Sequence, residues 1–79
     1  MINQDKYLSF LIKEAQSGRK NPFLELVELY KQDVYLLSLK LLGNTETAQE
    51  ITYKVFEKVW NFIKLLNDET PFELWLHGL

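Results

Sequence analysis

The sequence predicts an all-α fold, a compact bundle of three main helices closed by a short C-terminal fourth. Three observations predict it. Apolar residues recur at three- and four-residue steps through three long stretches, which is the spacing of a buried helical face. Each stretch is bounded by glycine or by an asparagine, threonine or proline start signal. The connections at residues 18–21 and 43–45 are brief enough to force antiparallel neighbours.

The first helix is expected over residues 4–16, with Tyr7, Leu8, Leu11, Ile12 and Ala15 recurring on one face and Gly18 as the stop. Arg19 and Lys20 form a short basic turn. Asn21 and Pro22 read as the next start, because asparagine can cap free amides and proline lacks the N–H that would have no partner there. The second helix, residues 22–42, carries a core stripe of Phe23, Leu26, Val27, Tyr30, Val34, Leu37 and Leu41. Leu24, Tyr35 and Leu42 widen one flank, and Leu29 and Leu36 stand on the other with Asp33 and Lys40. A helix so apolar around its circumference is either central in its own bundle or covered by something else. Leu29 and Leu36 are therefore a candidate partner or dimer face.

The stretch LLGNTETAQEITYKVFEKVW, residues 41–60, reads as the hinge of a helical hairpin. Gly43 and Asn44 end the second helix, and Asn44 or Thr45 can cap a third that runs to about residue 65. Ile51, Val55, Val59 and Phe62 are expected inward, with Thr52, Ile63 and Leu66 beside them. Gln49, Glu50, Tyr53 and Glu57 project the other way, as a row that a partner could bind. Asn67, Asp68 and Glu69 make a polar loop. Thr70-Pro71-Phe72-Glu73 reads as a capping box opening a short last helix that holds Phe72, Trp75, Leu76 and Leu79.

Composition narrows the function. The 79 residues make a single domain, residues 1–79, and 47% of them are apolar, enough for a core in a chain that buries roughly 60% of its unfolded surface. No cysteine is present, so disulfides, thiolate chemistry and zinc ribbons are excluded. The N-terminal residues are not those of a signal peptide, and no apolar run approaches a membrane span, so the cytoplasm is the expected compartment. Nine basic against eleven acidic residues leave a net charge of −2, which argues against autonomous binding to nucleic acid. After Lys64 the chain holds Asp68, Glu69 and Glu73 with His77 alone to offset them.

Chemistry is sparse. The chain lacks a glycine-rich phosphate loop, a nucleophile beside a base and a metal-ligand cluster, so no catalytic residue, metal, cofactor or small-molecule substrate is expected. His77 and the Asp68–Glu69 pair read as solvated groups. Trp60 and Trp75 read first as core aromatics, with stacking on an unpaired base as the alternative.

The order of features resembles region two of the sigma-70 family of transcription initiation factors, in particular the extracytoplasmic-function group. The resemblance runs from about Tyr7 to Leu76 and rests on Val34-Tyr35, Leu37, Leu39, Leu41-Leu42-Gly43, Ala48, Val55-Phe56, Val59-Trp60, Phe72 and Trp75-Leu76. It implies a helical domain that docks on the clamp helices of the RNA polymerase largest subunit and helps recognise and open the promoter minus-ten element within that complex. Carried onto this chain, the docking positions are Glu46, Gln49, Glu50 and Tyr53, with Lys54 adjoining. The base-capturing loop is Asn67, Asp68, Glu69 and Thr70, with Trp75 behind it.

The chain departs from the family's D-A-E-D-L-x-Q-E pattern. Thr47 and Gln49 stand for acids, Tyr53 for the usual glutamine, and Lys54 for another acid. Leu29 and Leu36 replace residues that are commonly arginine or otherwise polar, and Glu73 replaces one that is often basic. Residues 1–79 do not include the family's promoter-reading fourth domain. The expectation is thus a region-two module that binds polymerase core, diverged or cut from a longer factor. The alternative is a sigma-like interaction module that forms a homodimer or binds an anti-sigma-like regulator without reading promoters.

Overall fold

A computed structural model describes residues 6–79. Its elements are α1 (Lys6–Gln16), α2 (Lys20–Leu42), α3 (Thr45–Phe62), a 3₁₀ turn (Ile63–Leu65) and α4 (Phe72–His77), and no strand occurs among the described residues. The expected start of α1 at Gln4 lies outside the described residues. From Lys6 onward Leu11, Ile12 and Ala15 are buried as predicted. Tyr7 is exposed instead, and its hydroxyl donates to the Glu25 carboxylate.

Backbone geometry at two glycines makes the turns. Gly18, at φ 88°, ends α1 in a paired arrangement: its N–H donates to Ala15 O at 2.9 Å and the Arg19 N–H donates to Glu14 O at 3.1 Å. Arg19 is extended and its side chain caps nothing, so α2 starts at Lys20, two residues ahead of the expected start at Pro22. Asn21 consequently lies inside the helix. Pro22 remains tolerated because the first turn's amides have no intrahelical acceptor.

Gly43, at φ 68°, closes α2 by donating its N–H to Leu39 O at 2.7 Å. Asn44 then caps α3, its Oδ1 accepting from the Thr47 N–H at 3.0 Å. Two residues thus reverse the chain. The result is the α2–α3 hairpin, and the ~34 Å length of a 23-residue helix matches the molecule's longest extent of 34 Å.

One core cluster joins Leu11, Ile12 and Ala15 of α1, Phe23, Leu26 and Val34 of α2, Phe56 and Val59 of α3, Ile63, Leu66, and Phe72 and Leu76 of α4. Tyr30 packs tilted on Phe72 with ring centroids 5.1 Å apart. Two predicted stripes need correction. On α2 the buried line ends at Val34 and Ser38, while Leu37 is 46% and Leu41 74% exposed. The cause is length: α1 has 11 residues, about 16 Å, and cannot cover the last turns of a helix twice as long. On α3 the buried line is Ala48, Phe56 and Val59, continued by Ile63, whereas Ile51 and Phe62 lie at the surface. The inward line follows steps of three and four from Ala48 through Thr52, Phe56, Val59 and Ile63, which leaves Ile51 and Phe62 on its edges.

The start of α4 also differs. Thr70 does not cap it, and no reciprocal bond with Glu73 forms. Asn67 Oδ1 accepts instead from the Glu69 N–H, the Thr70 N–H and the Thr70 hydroxyl, at 2.9, 2.9 and 3.0 Å. With Thr70 tied into that turn, α4 opens at Phe72, its first backbone bond running from the Trp75 N–H to Pro71 O.

Candidate functional site

The α3 surface carries the candidate docking residues. Asn44 and Glu46 define its first turn, where a carboxylate faces the positive end of the helix. Glu46, Gln49, Glu50, Tyr53 and Lys54 are all exposed, and Tyr53 is 70% so. Lys54 Nζ lies 3.5 Å from Glu50 Oε1, one helical turn apart. Such a solvated pair holds together by at most about 1 kcal/mol, so Glu50 can be surrendered to a stronger cation. On the inner edge, the Thr52 hydroxyl donates to Ala48 O at 2.7 Å, which satisfies it without a partner helix.

A groove of about 640 Å³ runs between this surface and α2. Its α2 wall is Lys20, Leu24, Val27 and Lys31; its α3 wall is Gln49, Tyr53, Phe56 and Trp60, with Glu57 at the rim. Phe23 and Trp60 close the floor at one end, their ring centroids 4.8 Å apart and tilted by 52°. Sequence reasoning placed Gln49 and Tyr53 outward and did not join them to Lys20, Leu24 and Lys31. The signal was present in the near-equal distances of Leu24 and Trp60 from the Gly43 hinge, which an antiparallel hairpin brings opposite each other.

The second candidate set lies at the far end of α3. The Asn67 side chain is consumed within its own turn, and Asp68 and Glu69 are exposed. Residues 67, 68 and 70 border a crevice of about 150 Å³ that α1 shares through Lys13 and Gln16. Gln16 Nε2 donates to the carbonyls of Ile63 and Leu66 at 3.0 and 2.9 Å, tying the loop's root to α1. Trp75 is half-buried and packs on Phe72, centroids 5.9 Å apart.

Leu29 and Leu36 are 55% and 49% exposed, so the bundle's own helices do not cover that flank. Among the described residues the two perturbed titrations, Tyr7 and Tyr30, are phenolic and lie away from the α3 row. Burial, and secondarily the Glu73 carboxylate 3.4 Å from its hydroxyl, push Tyr30 up to about 12. The hydrogen bond to Glu25 raises Tyr7. Among the described residues no cluster of His, Cys, Asp and Glu could hold a metal ion, and no helix is long and apolar enough to cross a membrane.

No protein-family model matches the chain. It is similar to the ECF RNA polymerase sigma factor SigW of Bacillus subtilis (strain 168), at 29% identity over 68 residues, or 86% of this chain and 36% of that protein. The chain therefore spans about a third of the length of the curated relative it matches, and over that span the similarity, with the all-helical fold, supports a relationship to the extracytoplasmic-function sigma factors.

Proposed function

We propose that this chain is a single-domain transcription-initiation module that docks on RNA polymerase core through α3 and acts on promoter DNA within that complex. The observation that carries the reading is the exposed row Glu46, Gln49, Glu50, Tyr53 and Lys54, on a helical hairpin inside the stretch similar to a sigma factor. Its partner is the clamp-helix segment of the largest subunit, and its compartment is the cytoplasm. Binding is its work, with no catalysis. Residues 67–70 face the promoter's minus-ten element, and Trp75 supports them from behind. With Asp68 and Glu69 exposed in that loop, DNA affinity comes from the assembled complex.

The test is a calorimetric titration of the chain against the clamp-helix segment of its own organism's polymerase at low and moderate salt. Binding that weakens with salt and falls at least about tenfold on Glu50→Lys, with unchanged circular dichroism, supports the reading. Equal affinity of the two proteins removes it.

A second reading is favoured by the uncovered Leu29 and Leu36. There the chain is a sigma-like interaction module that forms a homodimer or binds an anti-sigma-like regulator without reading promoters. Light scattering separates the two. A dimer that Leu36→Glu converts to a folded monomer selects the second reading, and a monomer at high concentration rejects its dimer form.

A further inference from the structure

We propose that the groove between α2 and α3 holds one amphipathic helix of a partner, oriented by acidic side chains on the flank that lies against α2. The proposal deepens the docking reading, on which it rests for the presence of a partner at Gln49 and Tyr53, by assigning the second wall and the chemistry that wall selects.

The walls repeat each other. Lys20, Leu24, Val27 and Lys31 follow the same steps along α2 as Gln49, Tyr53, Phe56 and Trp60 follow along α3. Each wall is thus one ridge of three turns, roughly 16 Å long. Two antiparallel ridges leave between them the shape that a third helix fills, its side chains seated in the gap. An extended segment gains no main-chain pairing here, because helix walls offer no free N–H or C=O to meet its backbone. A helix brings its backbone bonds with it.

Charge sets the orientation. The α2 wall has a lysine at either end and no acid along the ridge, while the α3 wall is neutral apart from Glu57 at the rim. Lys31 is held by Glu28 at 2.9 Å, but that pair is exposed and yields to a better-placed carboxylate. The occupant therefore carries two acids about three turns apart on one flank, apolar residues on the face toward Leu24, Val27 and Phe56, and a neutral or basic flank toward α3. Single-stranded nucleic acid fits less well: one face of Trp60 is already packed against Phe23, and two cations over three turns supply little phosphate neutralisation.

The experiment uses the full chain with Trp75→Phe, leaving Trp60 as the one indole, and a capped synthetic peptide of about 18 residues. The peptide has leucines on one face and glutamates three turns apart on one flank; its control has lysines in their place. The glutamate peptide is expected to shift Trp60 emission with at least about tenfold higher affinity than the control, and Lys20→Glu with Lys31→Glu is expected to reverse that order. Leu24→Gln is expected to weaken both. If Trp75→Phe does not fold, the amide shifts of Leu24 and Gln49 in the unaltered chain give the same readout. Equal binding of the two peptides, or no response to either, overturns the proposal. So does tight binding of oligothymidylate that the double lysine change abolishes. Polymerase takes no part in this titration, so its failure is distinguishable from failure of the docking reading, which Glu50→Lys tests.

Discussion

The side-chain amide of Gln16, in the last turn of α1, donates to the backbone carbonyl of Leu66 at 2.9 Å across 50 residues of chain. A second bond from the same nitrogen reaches Ile63 O at 3.0 Å. Both carbonyls belong to the end of the α3 rod, where the helix runs out of its own donors. Gln16→Ala is expected to lower stability by about 1–2 kcal/mol, since two partly buried acceptors lose one donor. Gln16→Glu is expected to cost at least as much at neutral pH, because a carboxylate presents acceptors to acceptors. Urea unfolding of the three proteins checks both outcomes.

Asn67 accepts three bonds within its own turn, so its removal is expected to act locally. Asn67→Ala is expected to cost about 1 kcal/mol and to speed hydrogen exchange at the Glu69 and Thr70 amides while leaving the α1 amides protected. Exchange measured by NMR distinguishes this from global destabilisation. Thr70→Val, which removes one of the three donors, is expected to show a weaker version of the same pattern.

The Gly43 hinge gives a separate test of backbone freedom. A Cβ placed on it meets no atom within 4 Å, so a substitution creates no clash; its φ of 68° is what penalises other residues. Gly43→Ala is expected to destabilise by about 1–2 kcal/mol through the left-handed backbone alone. Gly43→Asn is expected to cost less, as asparagine visits that region more readily. Thermal melts of the two variants rank them.

Tyr30 predicts an alkaline dependence. Its hydroxyl is raised to about 12 by burial and by Glu73, above the ordinary tyrosine value of 10.0. The folded state therefore holds this proton more tightly than the unfolded chain does. The associated stability is complete below pH 10 and is lost as the pH rises towards 12. Because Tyr30 is only partly buried, solvent screening reduces the loss to on the order of 1 kcal/mol. Tyr30→Phe is expected to flatten the fall in denaturation midpoint over that window relative to the unaltered chain, and equal slopes would show that the tyrosine contributes nothing. Lysine titration affects both proteins alike and cancels in the comparison.

Much of this architecture was legible because its causes are local. Gly18 and Gly43 adopt the positive φ that their positions demand, and Asn44 caps α3 through an amide three residues away. Leu11, Ile12 and Ala15 occupy one face of one helix and are buried together. The candidate docking residues were legible as an exposed row for the same reason: a helix presents residues three and four apart on one side whatever it packs against.

What tertiary structure alone decided was how far each face is covered and which of several competent groups satisfies a turn. Leu37 and Leu41 continue the α2 stripe in sequence, yet they lie beyond the reach of the shorter α1. Phe56 lies inward on α3 where Ile51 and Phe62 were expected, and the Thr70 hydroxyl is drawn to Asn67, which leaves the first turn of α4 without a side-chain cap. The groove joining Lys20 and Lys31 to Gln49 and Trp60 exists only once the hairpin sets two ridges side by side. Periodicity and capping are properties of neighbours along the chain and so are written in the sequence. Burial depends on the length and lateral placement of other helices, and packing decides it.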